Sequence, residues 1–165
     1  MLIESAIAFG GLIIGLILAY FTKDELKSGK KYFHLLERVL LLVLVILLLY
    51  ETWDSFIFLI ISFVAGFMVF MGISRVYLYL GFALFLSFAY SQTFAYIFVG
   101  VIFLLGLTYG ALEYGKKMTM FVVSNLIFFG VPFILLLFEP FIVSYDFIFF
   151  PFVAGALFAK FLLRG

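Results

Sequence analysis

Few residues in this chain have side chains able to do chemistry, and most of them stand near the ends of long apolar runs. His34, Glu37 and Arg38 form one group, in which His34 lies three and four residues from its neighbours, the spacing that shares a helix face. Such a group has the means for acid–base work, and its carboxylate can bind a cation or relay a proton. Glu113 and Lys117 repeat the four-residue spacing, with Tyr109 and Gly110 one turn before Glu113. For both groups the plainer reading is snorkelling, with stems along the apolar helix and charged tips at headgroup depth. A third group is Asn125, Gly130 and Pro132. Pro132 cannot donate a backbone hydrogen bond, so the Phe128 carbonyl loses its usual partner, and Gly130 softens the helix further. A kink is expected there, and Asn125, two turns earlier, would line the same polar cavity at mid-depth. The competing reading is that Asn125 bonds a neighbouring helix as packing glue.

Much other chemistry is excluded. The chain has no Cys, which removes disulfides, thiolate metal sites and cysteine nucleophiles, and its one His rules out a multi-histidine metal site. Neither a Gly-x-Ser-x-Gly elbow nor a glycine-rich phosphate loop occurs. No catalytic residue, metal or cofactor is therefore assigned, and nothing points to nucleic acid.

The elements that must carry these residues follow from composition. Of 165 residues, 68% are hydrophobic, 12% charged and 22% aromatic. A soluble domain is nearer half apolar and a quarter charged, so lipid is the solvent this chain requires. The apolar runs have close to the roughly 20 residues a helix needs to cross about 30 Å of hydrocarbon. The expectation is an all-α integral membrane protein, a polytopic helical bundle forming one transmembrane domain over residues 1–165. Spans are read at about 2–21, 32–50, 56–72, 76–91, 94–112, 118–138 and 147–163. The first run has no basic residue before it and no small-residue cleavage site after it, which reads as a retained helix. The third and fourth spans are short and separated only by Ile73, Ser74 and Arg75, so a re-entrant pair, leaving five full crossings, is the alternative.

Charge decides between these counts. With seven crossings Lys23, Lys27, Lys30, Lys31, Arg38, Arg75, Lys116, Lys117, Lys160 and Arg164 all fall on one side. Glu4, Glu51, Asp54, Glu139 and Asp146 fall on the other. Basic residues mark the cytoplasmic side, which puts the amino terminus outside and the carboxyl terminus inside the cell membrane. Trp53 and Tyr145 among others then stand at outer ends, and Tyr77 and Tyr114 at inner ends, as interfacial anchors.

Gly29-Lys30-Lys31 and Gly115-Lys116-Lys117 each open a new span, and each of those spans is followed by an acidic outer turn. This pattern suggests parallel repeats, residues 1–75 and 92–165, joined by a linker helix at 76–91. The three-one-three layout resembles that of the sugar-transporting SWEET and PQ-loop families, although no Pro-Gln pair occurs. The resemblance is one of plan, and implies a transport pathway between two three-helix halves. Gly11 with Gly15, Gly106 with Gly110, and Gly155 with Ala159 have the four-residue spacing that lets helix backbones approach. Those faces serve packing within the bundle, a homo-oligomer, or a partner in a membrane complex.

Three functions are consistent with these residues. A transporter or channel for a small solute or ion predicts a polar cavity and two superposable halves. A non-catalytic subunit or assembly factor predicts a dry bundle with an exposed stripe of small residues. A lipid-modifying enzyme at the cytoplasmic interface predicts His34, Glu37 and Glu113 converging in a cleft open to headgroups. The first is the leading expectation.

Overall fold

The computed structural model describes residues 1–50, 56–114, 118–138 and 144–163, with the backbone alone for 23–28, 135–138 and 146. Glu51, Trp53, Asp54, Gly115, Lys116, Lys117, Glu139 and Arg164 lie outside the described residues, as do the side chains of Lys23, Lys27 and Asp146.

The described residues are almost wholly helical, with no strand among them. In order the helices are α1 (Leu2–Phe21), α2 (Lys23–Tyr50), α3 (Phe56–Gly72), α4 (Val76–Tyr90), α5 (Gln92–Leu112) and α6 (Met118–Gly130). A 3-10 segment (Val131–Phe138) and α7 (Asp146–Leu163) follow. Leu2–Phe21, Gly29–Tyr50 and Gln92–Leu112 are long and apolar enough to cross a membrane; the remaining apolar helices are shorter.

Two boundaries differ from expectation for local reasons. Residues 22–31 were expected to be a loop, yet α2 begins at Lys23, directly after the single turn residue Thr22. Its basic first turns are thus helix rather than loop, and Gly29, Lys30 and Lys31 open the apolar stretch that is long enough to cross a membrane. Lys and Glu are good helix formers, and one glycine costs only about 1 kcal/mol, so polarity alone does not end a helix. The sixth apolar run changes character at the residues that weaken it. The α-helix stops at Gly130, and residues 131–138, with Pro132 second among them, continue as 3-10 helix. The proline lacks the N–H that would extend the α pattern. Between α4 and α5 the connection is Ser91, whose hydroxyl caps α5 by accepting from the Phe94 N–H at 3.2 Å.

Packing rests on glycines at backbone crossings. The largest interfaces join α1 to α5 and α3 to α7. A Cβ added to Gly11 would collide with the Phe103 carbonyl, and one added to Gly15 with the Leu107 carbonyl. From the other side a Cβ on Gly106 would lie 2.8 Å from the Leu12 nitrogen, and one on Gly110 would strike the Leu12 carbonyl. Only glycine allows this approach. Because the contacts advance together along both chains, α1 and α5 run parallel. In α3 and α7, Gly66 meets the Phe152 carbonyl and Gly155 the Phe63 carbonyl, while Ala159 is buried. Phe58 packs on Phe147 and Phe63 on Phe158 with ring centroids 5.5 Å apart in each pair, so this pair is parallel too. Gly81 meets Phe129 and Phe85 meets Phe133, making α4 and the sixth span parallel. Tyr77 against Tyr109 and Tyr90 against Phe94 make α4 antiparallel to α5.

The core consists of the facing sides of these helices, with α4 buried along most of its length. The outward faces of α1, α2 and α3 are apolar as well, exposing residues such as Ile7, Leu18, Ile46, Ile61 and Met68. Such a surface suits contact with lipid.

Candidate functional site

Two sets of buried polar side chains stand out, one hydrogen-bonded within its own helix and one making ionic and aromatic contacts between helices. The hydroxyl of Ser87 donates to the Leu84 carbonyl at 2.7 Å, and that of Thr108 to the Leu105 carbonyl at 2.8 Å. Asn125 belongs with these, since its Nδ2 donates to the Phe121 carbonyl one turn back at 2.9 Å. Each is satisfied within its own helix, which is how a polar residue is kept in an apolar bundle at least cost. Because Gly81 lies against Phe129 and α4 runs parallel to α6, Asn125 is level with Tyr77 at the start of α4. Gly130 has open space beside it, and Pro132 lines a groove walled by apolar side chains and Tyr79.

The second set lies at the end of the bundle where α1 finishes and α2 begins, and its members Glu37, Lys160, Tyr109 and Tyr77 reach between helices. Glu37 on α2 is 3% exposed and Glu113, the residue that ends α5, is 5% exposed. A buried carboxylate costs several kcal/mol unless it is compensated. Glu37 has compensation from two directions: Lys160 Nζ on α7 lies 4.0 Å from Oε1, and His34 Nδ1 lies 3.6 Å from Oε2. Lys160 is itself only 12% exposed along its side chain, and its Nζ stands 5.6 Å from the centroid of the Tyr109 ring. A cation over an aromatic face is attracted to it, more so away from water.

Tyr109 is the hub of this set. Its ring stacks on Phe121 of α6 at 6.0 Å and meets Tyr77 of α4 edge-on at 5.6 Å. Tyr77 is enclosed by Phe9 of α1 at 5.7 Å and Phe129 at 6.3 Å, and is 1% exposed. Its hydroxyl has no hydrogen-bond partner among the described residues. Through Tyr109 and Lys160, Tyr77 is linked to Glu37. Side chains from α2, α4, α5 and α7 therefore converge on one buried polar cluster in a bundle that is otherwise apolar. The arrangement has the parts to exchange a proton among a carboxylate, an amine and two phenols.

Of the residues singled out from the sequence, His34 and Glu37 fall within this cluster, and Glu113 ends the helix that carries its hub. Arg38 follows Glu37 on α2 and is half-buried. Asn125 stands apart, bonded within its own helix. Gly11, Gly15, Gly106, Gly110, Gly155 and Ala159 lie at the crossings of α1 with α5 and of α3 with α7. Sequence reasoning passed over Tyr77 as an interfacial anchor and Lys160 as an orientation signal. It also passed over Gly66, although buried Ser62 and Gly66 carry the same four-residue spacing as the glycines it chose. No group of three His, Asp or Glu side chains able to hold a metal ion occurs among the described residues. No protein-family model matches this chain, and neither does any curated protein or solved structure.

Proposed function

We propose that this chain is a small seven-span membrane transporter whose proton- or cation-handling residues are the cluster of Glu37, Glu113, Lys160, Tyr77 and Tyr109 at the cytoplasmic end of the bundle. The observation that carries this reading is the burial of the Glu37 carboxylate beside the Lys160 amine and the Tyr109 ring, where α2, α5 and α7 meet, with a second buried carboxylate, Glu113, at the end of α5. Ionisable groups inside a membrane bundle are expensive to keep, and those that persist mark ion and proton paths. Plain structural charge would stay at the rim and snorkel, which His34, 41% exposed, does and Glu37 does not.

Alternation of helix direction supports the topology. Parallel α1 with α5, parallel α3 with α7, parallel α4 with the sixth span and antiparallel α4 with α5 are the relations that seven successive crossings require. They gather Lys30, Lys31, Arg75 and Lys160 at one end, which the positive-inside rule makes cytoplasmic. The pairs α1 with α5 and α3 with α7 also join corresponding members of the two suggested three-helix halves, in keeping with the parallel-repeat plan. Glu37 belongs to the first half, Glu113 and Lys160 to the second, and Tyr77 to the linker.

The glycine faces are occupied within the bundle, which leaves less for a subunit role to use. A lipid-modifying site would need a cleft reaching the headgroups, and both carboxylates are instead enclosed. The test is ion flux. Purified protein in liposomes with an internal pH dye and an imposed potassium diffusion potential should acidify the lumen faster than protein-free liposomes, and Glu37→Gln should bring the rate to background. Flux equal to wild type in both Glu37→Gln and Glu113→Gln would overturn the reading.

A further inference from the structure

Arg75 sits in the three-residue turn between α3 and α4, and the turn is tightly held. Its N–H donates to the Ile73 carbonyl at 2.8 Å, its own carbonyl accepts from the Leu78 N–H at 3.0 Å, and the Tyr79 hydroxyl donates to the Ile73 carbonyl at 3.0 Å. The guanidinium lies 5.0 Å from the centroid of the Phe128 ring. It is solvent-exposed and has no ion-pair partner among the described residues, in contrast to Lys160. The held turn thus presents the guanidinium, with its five N–H donors, beside the Phe128 ring, and a planar guanidinium matches phosphate oxygens two at a time.

Beside it runs a groove of about 380 Å³ between α3, α4, the 3-10 segment and α7. Ile73 and Leu78, which flank Arg75 in sequence, line its near end; Phe82, Pro132 and Ile134 line its far side. It is walled by apolar side chains apart from Tyr79, whose hydroxyl is turned to the Ile73 carbonyl. One wall of the groove is the 3-10 segment that follows Gly130. Water gains nothing in such a channel, whereas a hydrocarbon chain fills it without loss.

We propose that Arg75 and this groove together bind one anionic phospholipid from the leaflet at the basic end, with the phosphate on the guanidinium and one acyl chain along the groove. A basic group over an apolar cleft between helices is the charge pattern that anionic headgroups select. This site is separate from the cluster around Glu37 and does not depend on what that cluster transports.

Native mass spectrometry of the full chain, released from micelles doped with equal amounts of phosphatidylglycerol and phosphatidylcholine of identical chains, tests it. Wild type retains phosphatidylglycerol preferentially. Arg75→Gln lowers the ratio of the two adducts by about fivefold, the worth of one basic residue at a membrane surface. Arg75→Lys, which keeps the charge and loses the two-point fit, gives a ratio between those of wild type and Arg75→Gln, and Val131→Trp, which fills the groove, lowers retention of both lipids. The exposed pair Lys30→Gln/Lys31→Gln leaves the ratio unchanged. Equal retention of the two lipids by wild type overturns the proposal, as does a loss of preference in the double lysine variant as large as that in Arg75→Gln. If Arg75→Gln does not fold, unchanged retention of both lipids by Val131→Trp overturns it in the same way.

Discussion

A buried hydroxyl without a hydrogen-bond partner costs about 1–3 kcal/mol, so the phenol of Tyr77 is an expense that packing alone does not explain. Phe in its place keeps the ring contacts with Phe9, Tyr109 and Phe129 and removes the orphaned group. Tyr77→Phe should therefore raise stability by about 1 kcal/mol in thermal unfolding in detergent, while lowering flux in liposomes. A stabilised variant with full flux would remove Tyr77 from the proposed site. The Glu37 and Lys160 pair gives the opposite sign. Lys160→Met leaves a buried carboxylate short of its amine and should destabilise by about 3 kcal/mol, whereas Glu37→Gln combined with Lys160→Met should recover most of that loss. A double-mutant cycle in the same unfolding assay reads the coupling directly. At this scale the sequence pointed to His34, Glu37 and Glu113 by residue type and spacing. Tyr77 was not legible, because a tyrosine near a helix end looks the same whether it faces headgroups or the core. Lys160 was hidden for a like reason, since a long stem permits snorkelling and burial equally.

The helices pair through glycines whose backbones touch, and the consequence is a sharp difference between neighbouring positions. Gly11→Ala or Gly66→Ala must push α1 from α5 or α3 from α7 and should cost about 2 kcal/mol or more. Gly10→Ala and Gly100→Ala meet open space and should leave stability unchanged or raise it by about 0.5–1 kcal/mol. Unfolding midpoints of the four variants check this, and similar losses at all four would mean that glycine acts through chain flexibility alone. Most helix bounds were legible to within a few residues, because turns such as Ile73-Ser74-Arg75 interrupt the apolar runs. The start of α2 was not, because polar residues with good helix propensity extend a helix out of the apolar layer. The change to 3-10 helix after Gly130 was foreshadowed by Pro132, but the groove it opens needed the positions of α3, α4 and α7.

For the whole molecule, the absence of native cysteine makes the proposed topology directly testable. Single cysteines at Ser74 and at Gln92 mark the turns at opposite ends of α4. An impermeant thiol reagent added to intact cells should label Gln92→Cys and not Ser74→Cys, and inverted vesicles should reverse the pattern. Labelling of both from one side would make α3 and α4 a re-entrant pair and reduce the crossings to five. Composition and hydropathy by themselves pointed to an apolar helical bundle suited to a membrane, because 68% apolar residues in long runs need an apolar solvent, and three of the helices are long and apolar enough to cross one. The segregation of Lys and Arg implied one orientation, since charge is read loop by loop and needs no knowledge of packing. Only the tertiary structure decided which helices are neighbours and which face of each is inside. Helices such as α4 are apolar all round, so periodicity marks no buried side, and lipid is as good a solvent for Leu and Phe as another helix. The choice falls to the few places where backbones can touch, and those contacts bring Glu37, Tyr77, Tyr109 and Lys160 together from distant parts of the chain.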